Sequence, residues 1–262
     1  MSRDIAYYSV EEFDGMRVAG KLAAETLDYI TPFVQPGITT ERLDVLLEEF
    51  MRDHGAVPAT LGYHGYPKSS CISPNHVVCH GIPGDKVLHN GDIVNIDITP
   101  ILNGWFGDSS RMYYVGDVSV KAKKVCQTAY EAMMAGIEQA VLGHTIGDIG
   151  HAIQTRAAQD HYSVVEDFCG HGIGKVFHQA PNVLNYGKKG EGLKLKEGMI
   201  FTVEPMVNIG RSATLILSNG WTAITKDRTL SAQFEHTIGI TKNGPEIFTL
   251  SPKGYHFPPY EG

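Results

Sequence analysis

The chain has 262 residues, enough for a substantial core, with 22 Lys and Arg against 29 Asp and Glu and a formal net charge of −7. No basic block is longer than two residues, which argues against a nucleic-acid footprint. Cys71, Cys79, Cys126 and Cys169 show no C-x-x-C spacing, and neither an apolar leader nor a run of about 18 apolar residues occurs, so a soluble protein of the reducing cytoplasm is expected.

In chain order, "SVEE" at Ser9 to Glu12 is a capping box that opens a helix toward Tyr29 and Ile30, ended by Pro32 and "QPG". Thr40 is expected to cap the next helix, "ERLDVLLEEFMRDHG", with Leu43, Leu46, Leu47 and Phe50 on its apolar face and Gly55 closing it. A long polar-aromatic segment follows, "TLGYHGYPKSSCISPNHVVCHGIPGD", before an apolar strand around "DIVNIDIT". The second half repeats this order. A helix from about Val120 to Val141 precedes "LGHTIGDIGHAIQTRAAQDHY", then strands carrying "FCGHGIGKVFHQAP", "MIFTVEPMV" and "FEHTIGIT". Setting Gly37 against Gly143 aligns Thr39 with Thr145, Leu43 with Ile149 and Leu47 with Ile153, a weak match that any two amphipathic helices could give. Helices followed by strands, twice, predict two similar α+β halves sharing one sheet with a site where they meet. No low-complexity linker separates them, so residues 1–262 are expected to form one domain with halves of roughly 1–118 and 119–262.

Asp97 and Asp108 sit badly in this pattern, because a carboxylate in a buried strand costs several kcal/mol or more unless compensated. Asn103-Gly104 is the strongest hairpin signal in the chain, since a type I′ turn needs positive φ at both central residues. Closed on that pair, the hairpin sets Asp108 opposite Thr99 and makes the two aspartates diagonal neighbours on one face, roughly 7–8 Å apart. Pro100 cannot donate to a ladder, so a longer loop stays open, and a one-residue slip would send the aspartates to opposite faces. The plain alternative is one loop aspartate and one turn aspartate, both solvated.

Three further stretches put ionisable groups among apolar residues. Glu204 ends "MIFTVE" before Pro205, Glu235 lies inside "SAQFEHTIGI", and "GHGIGKVFH" offers His171 and His178. Singly, a strand-end Glu is often solvated and a Gly-flanked His is often a turn residue. Together, four carboxylates in one pocket would raise one another's pKa and oppose folding, whereas two divalent cations would neutralise them. One His with four carboxylates is an oxygen-rich set that suits Mn, Fe or Co better than a thiolate-rich zinc site. Such a pair of ions acidifies a bridging water and polarises a carbonyl, which predicts metal-assisted hydrolysis.

With "LGYHGYPKSSCIS", "HGIP", "DIVNIDIT", "GDSSRMYYVG", "GHGIG…FH", "GMIFTVEPM" and "SAQFEHT", nearly the whole chain resembles the type I methionine aminopeptidases. That resemblance implies the α+β pita-bread fold: two pseudo-symmetric halves sharing a curved, mainly antiparallel sheet with helices on its outer face. It implies removal of the N-terminal methionine from nascent proteins and peptides before a small second residue, a metal-bridging hydroxide attacking the scissile carbonyl. By the same resemblance Asp97 chelates one metal, His171 and Glu204 hold the other, and Asp108 and Glu235 bridge. The ions would be Co2+, Mn2+ or Fe2+, with Zn2+ a further choice. His178 would steady the tetrahedral intermediate, His80 would lie beside the scissile amide and Glu204 would also shuttle protons. Tyr63, Tyr66, Cys71, Phe177 and Trp221 would line the methionine slot, which suits a thioether, although core packing would also account for them. Asn75, Val77 and Ser231 fall where relatives bind a monovalent cation, Na+ or K+. Implied partners are Met-starting chains and transient ribosome contact, the protein being a cytoplasmic monomer with no nucleic-acid specificity.

The sequence departs from relatives at Thr60, where some carry Cys, and at Gln179, where Glu is common. "HGIG" before His178 and "QAP" after it predict a short strand whose alternation sends Phe177 and His178 to opposite sides, both still bordering one cleft if the strand ends at its rim. Three other readings compete. A pita-bread peptidase cleaving before proline usually carries a further N-terminal domain, which this chain is expected to lack. A non-enzymatic pita-bread protein has lost metal ligands. A mononuclear iron oxygenase using two His and one carboxylate leaves the other strand acids without a purpose.

Overall fold

The computed structural model describes residues 5–260; the outermost ends of the expected domain lie outside them. Four helices form where the caps and apolar spacing predict. Helix α1 (Val10–Ile30) starts at the Ser9 capping box and buries Phe13, Met16, Ala23, Leu27 and Ile30. A 3-10 turn, Thr31–Phe33, carries the chain past Pro32, which is tolerated there because a first-turn N–H has no intrahelical partner. In α2 (Thr40–Asp53) the cap is Thr39 rather than Thr40: Thr39 Oγ1 accepts from Arg42 N at 3.2 Å. Thr40 is already helical, and its hydroxyl reaches the Gly84 backbone instead. Helix α3 (Val120–Glu138) stops short of Val141, and α4 (Ile146–Gln159) follows.

Eight strands build the central sheet: β1 (Cys71–Pro74), β2 (Ile93–Ile98), β3 (Ser109–Tyr114), β4 (Gly170–Gly172), β5 (Gln179–Val183), β6 (Ile200–Val203), β7 (Glu235–Thr241) and β8 (Gly244–Ile247). Their order is β5-β4-β6-β7-β3-β2-β1, with β8 paired to β7, and every pairing is antiparallel. The hairpin turns at Asn103 (φ 52°) and Gly104 (φ 79°), both positive as a type I′ turn demands. From that turn the register runs through Leu102↔Trp105 and Ile101↔Phe106 to Ile98↔Ser109 and Asp97↔Ser110. No residue slips, and the aspartates keep one face.

Alternation then sorts the sheet. Val94, Ile96, Ile98 and Tyr113 pack beneath α1 and α2, while Phe201, Val203 and Ile238 pack beneath α3 and α4. Both helix pairs therefore cover the same outer face, and the opposite face keeps Asp97, Ser110, Thr202 and Glu235. The halves join where β3 pairs β7, through Ser110↔Glu235 and Ser109↔His236. The weak internal match is structural: α2 and α4 are each 14 residues, preceded by Gly37 (φ 96°) and Gly143 (φ 86°) and capped by Thr39 and Thr145. Each cap also makes an isolated antiparallel bridge, Thr39↔Val87 and Thr145↔Lys194. Among the described residues no helix is long and apolar enough to cross a membrane.

Candidate metal centre and substrate cavity

Pairing explains how side chains far apart in sequence meet. Cys71, Asp97, Ser110 and Glu235 are successive partners across β1, β2, β3 and β7, so they project from one face side by side. Asp108 lies two residues before Ser110, and its Oδ1 accepts from Thr99 Oγ1 at 2.8 Å. On β6, Thr202 partners Thr237, and Glu204 stands two residues on. The Thr202 hydroxyl links two of the groups: it accepts from His171 N at 3.0 Å and donates to Glu204 Oε1 at 2.7 Å.

The side chains converge. His171 Nε2 lies 3.4 Å from Asp108 Oδ2 and 3.6 Å from Glu204 Oε1. Ligand atoms of Asp108, His171 and Glu235 all lie within 4.8 Å of one another. His171 Nδ1 is 3.2 Å from the Gly172 carbonyl, and a proton held there leaves the Nε2 lone pair toward the carboxylates.

Electrostatics states what these groups need. Burial, then the charges of Asp108 and Glu204, drive the Asp97 carboxyl well above the usual carboxylate range. Burial drives Glu235 the same way, with Asp108, Glu204 and Asp97 adding to it. Glu204 is pushed up to about 7, again mainly by burial; Asp108 adds to the rise, while His171 and the Thr202 hydroxyl oppose it. Burial acts against a charged His171, but Asp108 and Glu204 outweigh it and raise its pKa. Full ionisation of the carboxylates at neutral pH requires cations, and the oxygen-rich donor set fits divalent ones. The neighbouring Cys71 adds no thiolate, because burial and the charge of Asp97 push its thiol far up.

The acids floor a cavity of ≈ 360 Å³ whose walls include Tyr63, Tyr66, Cys71, Phe177, His178 and Trp221, with His80 beside them. Tyr66 meets Trp221 edge-on at 5.1 Å, and Tyr63 tilts against Phe177 at 4.9 Å. His178 Nδ1 lies 2.9 Å from the Tyr63 hydroxyl. Burial, then the charge of His171, push His178 down to about 3, so the ring is neutral. With its proton on Nε2, the ring accepts from the Tyr63 hydroxyl at Nδ1. His80 adopts a left-handed backbone (φ 54°), its ring edge-on to Phe168 at 5.5 Å. Burial lowers its pKa as well.

Both Phe177 and His178 border the cleft as expected, but the short strand expected there does not form. Residues 173–178 form a bend between β4 and β5 rather than a strand, and the Phe177 and His178 rings lie together at 4.0 Å, both in the cavity. Asn75, Val77 and Ser231 lie outside the cavity. Ser231 N donates to the Asn75 carbonyl at 2.9 Å, and Ser231 Oγ is buried without a hydrogen-bond partner among the described residues. Sequence reading missed Thr202 and Gln233, whose Nε2 donates to Glu204 Oε2 at 3.4 Å. Strand period could have found both, since each stands two residues before a singled-out glutamate. His64, Cys79 and Cys169 also line the cavity, with no signal in their spacing.

Residues 14–242 match the model of metallopeptidase family M24. The chain belongs to that family. A methionine aminopeptidase of Rickettsia prowazekii (strain Madrid E) is 60% identical over 98% of this chain and 99% of its own length. A crystal structure of the methionine aminopeptidase from Rickettsia prowazekii superposes with a TM-score of 0.93, covering 94% of this chain and 100% of that one. The methionine aminopeptidase of Thermotoga maritima, 36% identical, gives 0.92 over 94% of this chain and 99% of its own. A prolidase from Pyrococcus horikoshii OT3, 23% identical with a TM-score of 0.73 over 93% of this chain and 63% of its own, shares the M24 fold alone.

Proposed function

We propose that the protein is a methionine aminopeptidase that releases the N-terminal methionine of peptides and nascent chains whose second residue is small. The observation that carries this reading is the shared cavity: Asp97, Asp108, Glu204, Glu235 and His171 line the same space as a wall of aromatic rings and Cys71. Asp97, Asp108, His171, Glu204 and Glu235 would hold two divalent ions, Co2+, Mn2+ or Fe2+, with Zn2+ also compatible. When bound, the ions supply Lewis acidity and water acidified enough to react near neutral pH.

The chain's own residues do the rest. Tyr63, Tyr66, Cys71, Phe177 and Trp221 receive the methionine side chain, where a thioether packs well against rings and sulfur. His178, neutral and protonated on Nε2, donates to the scissile carbonyl oxygen as negative charge gathers there. His80 sits beside the amide, and Glu204 shuttles a proton to the leaving amine. Thr202 orients both Glu204 and the strand that bears His171. Residues 1–262 act as one catalytic domain to which both halves give ligands. A monovalent cation, Na+ or K+, at Asn75, Val77 and Ser231 would satisfy the partnerless Ser231 hydroxyl. The same reading makes the protein a cytoplasmic monomer that meets its substrates in transient contact with the ribosome and has no nucleic-acid specificity.

Release of free methionine from Met-Ala and Met-Lys peptides by metal-reconstituted protein tests the proposal. Turnover of Met-Ala at least about tenfold above Met-Lys is expected. Equal turnover of both, or efficient cleavage before proline without a preference for Met, would contradict it.

A further inference from the structure

The bend that carries Phe177 and His178 is fastened from outside the cavity. Tyr8, on the segment leading into α1, presents its hydroxyl to both ends of the bend. It accepts from Lys175 N at 3.3 Å and from Gln179 Nε2 at 3.2 Å, and the same Gln179 amide reaches the Ile173 carbonyl at 3.3 Å. Tyr8 is itself anchored, with its N donating to the Gly198 carbonyl at 2.8 Å and its ring tilted against Trp105 at 5.1 Å. Lys175 completes the fastening, donating to Glu12 Oε1 at 2.9 Å and lying over the Trp105 ring at 5.0 Å. Phe106 N donates to the Gly174 carbonyl at 2.9 Å. A Cβ on Gly174 would fall 2.2 Å from the Tyr8 hydroxyl oxygen, so this close approach requires glycine there.

Neither Tyr8 nor Gln179 lines the cavity. Between β4 and β5 lie six residues, 173–178, with no strand ladder of their own. A bend without a ladder keeps its shape only through contacts of this kind. Donors that stabilise a transition state must be held to a fraction of an ångström. We infer that Tyr8 and Gln179 are positioning residues, which fix the bend so that His178 Nε2 stays aimed at the reacting carbonyl. This rests on the aminopeptidase reading for the role of His178, but the fastening itself can be tested without substrate.

Tyr8→Phe deletes the hydroxyl and keeps the ring on Trp105; Gln179→Leu removes the amide from the other side. Amide hydrogen exchange comes first. Each variant should speed exchange across residues 173–179 by about tenfold, with protection in β6 and β7 unchanged. Kinetics come second. Each should lower kcat by about 5–20-fold with bound metal unchanged, and either change placed on His178→Ala should lower kcat by less than about twofold further. Exchange at the wild-type rate in both variants overturns the fastening. A kcat loss of the same size with and without His178, or a fall in Tm with kcat intact, overturns the positioning role. Faster exchange in the bend of both variants, with a wild type that itself releases no methionine, would leave the fastening standing and remove the aminopeptidase reading on which the role of His178 depends.

Discussion

At the scale of single residues, the buried carboxylates cannot all be ionised near neutral pH without cations. Asp108 and Glu235 lie with His171 within one metal-sized cluster. Asp108→Asn or Glu235→Gln exchanges a charged donor for a neutral amide, and activity is expected to fall below about a tenth of wild type together with metal occupancy. Retained activity in protein washed free of loose metal would remove the bridging assignment. The two histidines should separate. His178→Ala is expected to lower kcat by about 10²–10³-fold with metal and KM unchanged, as loss of one oxyanion donor does. His171→Ala should lose metal and activity together, and loss of metal from the His178 variant would exchange the roles. Asp97 and Asp108 were legible because the Asn103-Gly104 turn fixes a register that brings both to one face of the hairpin. The placing of Phe177 and His178 was not, because "GKVFH" contains nothing that distinguishes a short strand from a bend fastened by Tyr8, more than 160 residues away in the chain.

Among the elements, the hairpin shows how far local chemistry reaches. One Asn-Gly pair sets the register from Leu102↔Trp105 to Asp97↔Ser110, and with it the face on which both aspartates stand. Helix starts were equally legible where a capping side chain precedes an apolar period. The error between Thr39 and Thr40 arose because two threonines stand in tandem, and the Arg42 N bond to Thr39 Oγ1, with Thr40 turned to Gly84, shows which is the cap. Accordingly Thr39→Ala should cost about 1 kcal/mol and lower Tm by ~2–4 °C, while leaving metal content intact. An unchanged Tm would return the cap to Thr40. β1 escaped the sequence reading because four residues with Ser and Pro carry no readable period. The site depends on it nonetheless, since Cys71 begins the row that Glu235 ends.

For the molecule as a whole, two halves bring their acids to the line where β3 meets β7, and that meeting is unfavourable until cations join it. Glu204 titrates near 7 in the fold against 4.5 as its ordinary value, and Asp97 and Glu235 move in the same direction. A carboxyl whose folded pKa is raised favours the native state below its ordinary pKa, and that advantage is lost as pH climbs through the folded value. The raised pKa of His171 acts with the same sign. The gain in Tm on adding metal to chelator-stripped protein should therefore widen by roughly 3 °C or more between pH 5 and pH 7.5. A gain that is flat or shrinks with pH would show that the acids are not the metal's ligands. The doubling was visible in the sequence as helices followed by strands twice and as a faint alignment of Thr39 with Thr145; what made it structural, the paired bridges to Val87 and Lys194, lies in tertiary contacts. The most direct test of the central claim is a titration of stripped protein with Mn2+, following methionine released from a Met-Ala peptide. Release should be absent without metal and should rise until about two ions are bound per chain; release undiminished in the stripped protein would contradict a metal-dependent aminopeptidase.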